Sequence, residues 1–131
     1  MVVSLTLAIW AVCGVAVAVA LAEDAVGTGA GARAFQKCFA CHSLDPRETN
    51  LPGPNLHKLF GRVAGTLPGF EYSEAMVTAG QRKGLVWDER SLDQYLSEPD
   101  SLVPGTLMSP VSVQDPVERK MLIEYLRRAT E

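Results

Sequence analysis

The sequence contains little histidine, no excess of basic residues and no clear pattern typical of β-strands. Its 131 residues include two histidines, and the formal net charge is −3. A mildly acidic chain lacks the positive patch that attracts nucleic acid, so nucleic acid is excluded as a partner. No stretch alternates apolar and polar residues convincingly, and no internal repeat is visible. These absences leave a single all-α domain of a few helices joined by long loops.

Charge is also missing from the N-terminus. Residues 1–22 contain no Asp, Glu, Lys or Arg. They end in Ala-Leu-Ala followed by two acidic residues, the pattern of a secretory cleavage site. However, no basic residue precedes the apolar run, and the run approaches the roughly 20 apolar residues that span a bilayer. A signal peptide and an uncleaved membrane anchor both stay open. Either one puts the rest of the chain, a short tether at 23–30 and a domain at 31–131, outside the cytoplasm.

The three cysteines are unequally informative. Cys13 lies in the apolar run and is interpreted as a small hydrophobic residue. Cys38 and Cys41 lie in KCFACHSL, where His42 follows at once. A structural zinc site needs four ligands, whereas this motif supplies at most three. A thioredoxin-type dithiol would lie between a strand and a helix, but the residues before Cys38 favour helix. A plain disulfide is compatible with export but leaves His42 without a role.

Covalent haem gives a role to every residue of the motif. Each thiol adds to one haem vinyl group, and a gap of two residues between the cysteines matches the separation of the vinyls. His42, next in the chain, is then placed under the iron as the proximal ligand. We therefore interpret Cys38, Cys41 and His42 as a c-type haem attachment site.

Four side chains are candidates for the remaining iron position: His57, Met76, Met108 and Met121. Met121 falls on the apolar stripe of the last helix, which favours core packing. His57 follows GPNL closely after the haem motif, where a structural hydrogen bond is the simpler role. Met108 lies in PGTLMSP, a loop between two helices that can lay a thioether across the distal face of the haem. Met108 is therefore the predicted sixth ligand.

Helix signals recur along the domain. We predict helices from about Ala30 to Lys37, from the Ser73 cap to Gly80, from the Asp88 cap to Pro99, and from the Asp115 cap towards the C-terminus. Trp87 and Leu92 have the spacing of a hydrophobic staple. The last helix is predicted to bury Val117, Met121, Leu122 and Tyr125. Between the first two helices, residues 43–69 are irregular and rich in proline, and stretches this long usually bind something.

These motifs resemble those of the class I c-type cytochromes, the mitochondrial and bacterial cytochrome c family. The resemblance covers about residues 31–131 and rests on the segments GARAF before CFACH, GPNLHKLFGR, GFEYSEA, WDERSLDQYLSEP, PGTLM and LIEYLRRATE. It implies a small cytochrome c fold, with a few helices and long loops wrapped around one covalently bound haem. It also implies that Gly31 and Phe35 meet Leu122 and Tyr125 where the first and last helices cross.

The resemblance implies roles at the iron. Cys38 and Cys41 would carry the thioether bonds to the haem. His42 and Met108 would be the axial ligands of the iron. Tyr95 would lie near the Met108 sulfur.

Further roles are implied around the haem. The Pro54 carbonyl would accept the second ring N–H of His42 and so fix its tautomer. Tyr72 and Trp87 would donate hydrogen bonds to a haem propionate, and Arg62 would help to neutralise its charge. For Trp87 a purely apolar role in the staple stays open.

Three positions depart from the family pattern. Leu107 replaces a lysine that often precedes the methionine, Pro110 replaces an aromatic residue, and Met76 replaces a polar residue of the haem pocket. Mitochondrial members carry a ring of lysines around the exposed haem edge. Lys37 keeps part of that ring here but Leu107 does not, so we expect weaker or different steering by charge.

The resemblance implies a one-electron carrier with no enzymatic activity. Its partners would be a quinol–cytochrome c reductase and a terminal oxidase or photosynthetic reaction centre, in a respiratory or photosynthetic chain. The carrier would be a periplasmic monomer, either released by signal cleavage or tethered to the inner membrane. The alternative is a haem enzyme or gas sensor, in which Met108 binds weakly and opens the sixth position to a small molecule.

Overall fold

The computed structural model describes residues 29–108 and 111–130. Within this part of the chain the structure is all-α, as predicted. The helices are α1 (29–35), α2 (Glu74–Gln81), α3 (Glu89–Ser97), α4 (Pro99–Leu102) and α5 (Pro116–Thr130). In the same residues, extended segments pair only in one isolated antiparallel bridge between Val63 and Val86. None of the described helices is long and apolar enough to cross a membrane. The predicted signal or anchor at 1–22 lies outside the described residues.

The first and last helices cross at close range. A Cβ atom on Gly31 would collide with the Met121 carbonyl oxygen and the Tyr125 Cβ, so the crossing requires glycine. The Phe35 and Tyr125 rings lie 5.8 Å apart between centroids. Leu122, fully buried, belongs to the same core. α1 ends at residue 35, two residues before the predicted boundary, and the chain continues through a series of turns into the cysteine motif.

α2 begins as predicted and ends one residue beyond the predicted stop. The Ser73 hydroxyl accepts a hydrogen bond from the Met76 amide at 3.3 Å and caps the first turn. Gly80 does not terminate the helix; it lies within α2 and is buried. A Cβ at this position would collide with the Ala64 carbonyl oxygen. Glycine is therefore used here for close approach of two backbones rather than as a stop signal.

α3 is fixed at its start by a capping box. The Asp88 carboxylate accepts from the Ser91 amide at 2.7 Å, and the Ser91 hydroxyl accepts from the Asp88 amide at 2.8 Å. Trp87 and Leu92, the predicted staple, are both buried. Pro99 was expected to end this helix. α3 ends at Ser97 instead, and Pro99 occupies the first turn of α4, where its missing N–H costs nothing.

α5 is capped by Asp115, whose carboxylate accepts from the amides of Val117 at 2.7 Å and Glu118 at 3.0 Å. Glu118 lies in the first turn of the helix. It forms an ion pair with Lys37 at 2.7 Å and so ties α5 to the cysteine motif. The residues that α5 buries are Arg119, Leu122, Ile123, Leu126 and Thr130.

The predicted stripe of α5 is therefore partly wrong. Leu122 is buried as expected, but Val117 is 65% exposed. Met121 and Tyr125 are only partly buried. Val117 lies in the first turn of the helix, before the segment that packs against α1 and α3. The helical spacing of the apolar residues was predicted correctly, but which side of α5 faces the core depends on its contacts with other helices.

The irregular stretch 43–69 is organised by Asn55. Its amide group donates to the Asp45 carbonyl at 2.6 Å and the Glu48 carbonyl at 2.8 Å, and its side-chain oxygen accepts from the His57 amide. A buried polar side chain that satisfies loop carbonyls replaces the missing secondary structure. The stretch is also fastened to α5, because the Lys58 amide donates to the Thr130 carbonyl at 2.7 Å.

Candidate functional site

The core of the protein is built around a cavity of about 400 Å³. Helices α1, α2, α3 and α5 and the loops between them all contribute to its wall. Every haem-binding residue predicted from the sequence lies on this wall: Cys38, Cys41, His42, Pro54, Arg62, Tyr72, Trp87, Tyr95 and Met108. Residues more than 60 positions apart in sequence, such as His42 and Met108, thus line one cavity.

The cysteine motif forms a tight turn at the end of α1. The amides of Cys41 and His42 both donate to the Cys38 carbonyl, at 3.0 and 2.9 Å. Cys38 is buried and Cys41 is exposed. Burial raises the pKa of the Cys38 thiol, while the neighbouring Lys37 cation acts in the opposite direction. The turn therefore presents one thiol inside the cavity and the other at its edge.

The His42 ring is held by the backbone of the next loop. Its Nδ1 donates to the Pro54 carbonyl oxygen at 2.7 Å, which makes Nε2 the unprotonated nitrogen of the neutral ring. Burial lowers the pKa of His42, and the Pro54 hydrogen bond opposes this shift. Gly53 packs against the ring so closely that a Cβ there would lie 2.5 Å from the His42 Cε1. Gly53 was not predicted as a site residue, although it begins the GPNL segment.

Met108 follows a small polar cluster on another part of the wall. The Tyr95 and Thr106 hydroxyls are hydrogen-bonded at 2.6 Å, and both side chains are buried. The Met108 amide donates to the Thr106 hydroxyl at 3.3 Å. Burial raises the pKa of Tyr95, and the hydrogen bond with Thr106 counteracts part of that effect. Thr106 was not predicted as a site residue, although its position two residues before Met108 places it on the same loop.

The polar edge of the cavity includes Arg62 and Tyr72. The Arg62 guanidinium donates to the Asn55 carbonyl at 3.0 Å and to the His57 carbonyl. Burial raises the pKa of Tyr72, and the positive charge of Arg62 opposes that rise. The apolar body of Trp87 is buried against Tyr95, with ring centroids 5.1 Å apart. Trp87 therefore belongs both to the hydrophobic staple of α3 and to the wall of the cavity.

Two other candidates for the iron lie away from the cavity. Neither His57 nor Met121 contributes to its lining. The backbone of His57 takes part in loop hydrogen bonds, through its amide to Asn55 and through its carbonyl to Arg62. Met76 does line the cavity, from α2.

This cavity suits a haem. Most of its wall is apolar, which matches the body of the macrocycle, while two thiols, an imidazole and a thioether provide donors that suit iron. The fold and the site together define a small all-α haem protein, in which loops complete the pocket that the helices begin.

Comparison with known proteins identifies the kind of haem protein. No protein-family model matches the chain. Cytochrome c2 of Afifella marina is 43% identical over 98 residues, which are 75% of this chain and 78% of the relative. Cytochrome c2 of Blastochloris viridis is 37% identical over 117 residues, 89% of this chain and 87% of the relative. Cytochrome c of Sesamum indicum is 42% identical over 94 residues, 72% and 81% of the two chains.

The chain therefore belongs to the class I c-type cytochrome family. The recognition from sequence motifs and the predicted fold class are confirmed. The protein carries one covalently attached c-type haem and is an electron carrier.

Proposed function

We propose that this cytochrome carries single electrons with its iron closed on both sides, by His42 and by Met108. The proposal is supported by the joint presence of an imidazole and a thioether on one cavity wall. Cys38 and Cys41 would form the two thioether bonds to the haem. The bound haem supplies the redox chemistry, a reversible change between Fe(III) and Fe(II). Thioether ligation favours Fe(II) and raises the potential relative to ligation by two histidines.

The chain supplies ligands, orientation and a dry environment. The Pro54 carbonyl holds the His42 ring through its 2.7 Å hydrogen bond, which would leave the Nε2 lone pair available to bind the iron. Thr106 holds the amide of Met108. Arg62, Tyr72 and Trp87 would bind a propionate group at the polar edge, where Arg62 supplies the compensating charge. With His42 and Met108 both bound to the iron, no coordination position would remain for a substrate, so enzymatic activity is not expected.

The test of this function is the visible spectrum of the oxidised and reduced holoprotein, compared with Met108→Ala. We expect the weak long-wavelength band of Fe(III)–Met in the wild type and its loss in the variant. Met121→Ala, which removes a methionine outside the cavity, should keep the band. If the wild type lacks the band and binds carbon monoxide readily, the sixth position is open. The protein would then be interpreted as a haem enzyme or gas sensor, and the proposal of an electron carrier with two axial ligands would fail.

We infer a periplasmic protein with residues 1–22 as a signal peptide or anchor, 23–30 as a tether and 31–131 as the cytochrome domain. The inference rests on the apolar N-terminal run and on the two relatives named cytochrome c2. Mass spectrometry of the native N-terminus distinguishes the two alternatives. A mature chain that starts at Glu23 means cleavage, whereas an intact start means an anchor.

The partners we propose are a quinol–cytochrome c reductase as donor and a terminal oxidase or photosynthetic reaction centre as acceptor. Contact would be made by a monomer at the edge where Leu107 is 84% exposed and lines the cavity mouth. Lys37, which immediately precedes Cys38, is already paired with Glu118. We therefore expect the rate of electron transfer to depend only weakly on salt. A steep fall in the rate with rising salt would contradict docking with little charge steering.

A further inference from the structure

Arg119 is a charged side chain in an unusual place. It lies on α5, its side chain is only 11% exposed, and no sequence motif predicts a role for it. Its Nε donates to the Asp93 carboxylate of α3 at 2.6 Å. Its Nη1 donates to the carbonyls of Val113 at 2.8 Å and Gln114 at 3.2 Å. Burying a guanidinium costs free energy unless such partners are supplied, so these contacts are what permits its burial.

The two carbonyls belong to the segment that follows the Met108 loop, by which we mean residues 103–108. Residues 111–115 connect that loop to α5, and Val111 lines the haem cavity. The Val111 amide donates to the Met108 carbonyl at 3.0 Å, which links the segment directly to the proposed ligand. The Val113 amide also donates to the Leu96 carbonyl of α3 at 2.7 Å. The guanidinium therefore completes a junction of α3, α5 and the exit of the Met108 loop.

The entrance to the same loop is held by different groups. The Thr106 hydroxyl is bonded to Tyr95, and the Gly105 amide donates to the Asp100 carboxylate at 2.8 Å. Contacts on both sides of Met108 therefore restrict its backbone. A thioether is a neutral ligand, so the geometry of its loop strongly influences how long it stays on the metal.

We propose that Arg119 is a positioning residue for Met108. By holding the Val113 and Gln114 carbonyls, it fixes the segment whose Val111 amide is bonded to the Met108 carbonyl, and so limits how often the sulfur leaves the iron. The proposal rests on Met108 ligation as proposed above. Lysine would not replace arginine here, because a single ammonium lacks the planar fork that reaches a carboxylate and two carbonyls together.

A second ion pair between the same two helices provides a matched control. Arg127 of α5 pairs with Glu89 of α3 at 2.9 Å, but both side chains are 53% exposed. Arg127 has no hydrogen bond to the Met108 loop among the described residues. Replacing Arg127 therefore removes an α3–α5 charge contact and spares the loop, whereas replacing Arg119 affects both.

The experiment measures ligand exchange on the oxidised holoprotein. Imidazole at saturating concentration replaces Met108 only when the sulfur has left the iron, so the limiting rate reports loop opening. We expect Arg119→Gln to keep the Fe(III)–Met band but to raise this rate roughly tenfold, as removal of charged hydrogen bonds implies. Arg119→Lys should give an intermediate rate and serves if Arg119→Gln does not fold. Arg127→Gln should exchange at the wild-type rate.

A second measurement separates positioning from general destabilisation. If Arg119 acts on the loop, the raised rate will depend little on added urea, because only a small local opening is involved. If exchange requires global unfolding, the rate will rise with urea at the slope found by circular dichroism, and the proposal is overturned. Equal rates for Arg119→Gln and Arg127→Gln also overturn it. Absence of the Fe(III)–Met band in the wild type would refute Met108 ligation itself and Arg119 positioning with it.

Discussion

Replacement of Gly53 by alanine is the sharpest test of how the His42 ring is held. The added Cβ would lie 2.5 Å from the ring Cε1, 2.8 Å from Nδ1 and 2.8 Å from the Cys41 carbonyl oxygen. Favourable carbon contacts begin at about 3.5 Å, so the methyl group overlaps the ring by roughly 1 Å. The ring or the loop must move, and the 2.7 Å hydrogen bond between His42 and Pro54 lies directly beside the overlap.

Three contributions determine how much Gly53→Ala changes the free energy of unfolding. Overpacking of this kind costs about 1–3 kcal/mol. Weakening the hydrogen bond between His42 and Pro54 adds up to about 1 kcal/mol. Alanine restricts the unfolded chain more than glycine, which returns about 0.4–1 kcal/mol of stability. The expected net loss is about 1–3 kcal/mol in the free energy of unfolding.

Urea unfolding of the oxidised holoprotein measures that loss, and the reduction potential supplies an independent readout. A weaker bond to Pro54 makes the imidazole a poorer electron donor, so we expect the potential to rise. Gly69→Ala is the control, because φ is +80° there and nothing lies within 4 Å of the added Cβ. It should lower stability through backbone strain and leave the potential unchanged. If Gly53→Ala matches the wild type in both stability and potential, the packing of Gly53 on His42 is refuted.

Two further predictions concern the hydroxyl cluster and the acid side of the stability curve. Thr106→Val leaves the buried Tyr95 hydroxyl without its 2.6 Å partner and should lower the free energy of unfolding by about 1–3 kcal/mol, as measured with urea. Thr106→Ser keeps the hydroxyl and should lower it clearly less. Equal losses in the two variants would contradict a role for the hydrogen bond. Hydrogen bonds from the Arg47 side chain hold the pKa of Asp45 at about 2, below its usual 3.8. The stabilisation by the ionised Asp45 is therefore complete above pH 3.8 and is lost as the pH falls towards 2. The Tm of Asp45→Asn should consequently change less over that interval than the Tm of the wild type. If Tm falls equally with pH in both proteins, the Arg47–Asp45 contact makes no such contribution to stability.

The parts of the protein that sequence reasoning predicted are those with local signals. The caps at Ser73, Asp88 and Asp115 each act within three residues of their own position. The motif from Cys38 to His42 likewise closes within one turn of the chain. In such places the residue types and their spacing contain the whole interaction, which explains why the starts of α2, α3 and α5 were predicted correctly.

The parts that sequence reasoning missed depend on partners far away in the chain. Arg119 and Asp93 are 26 positions apart, and only the packing of α3 against α5 brings them together. Gly80 looks like a helix stop in the sequence, because nothing local shows that the Ala64 carbonyl lies against it. The exposure of Val117 has the same origin, since the direction of the core is set by neighbouring helices.

The burial of Cys38 has a consequence for how the protein is made. In the folded chain Cys38 is 8% exposed, and burial raises the pKa of its thiol, which disfavours the reactive thiolate. An enzyme that joins haem to both cysteines would need the chain before its helices have closed over the motif. Maturation would then have a fixed order, with attachment first and folding second. A copy that missed its haem would keep a largely apolar cavity of about 400 Å³ at its centre with nothing to fill it.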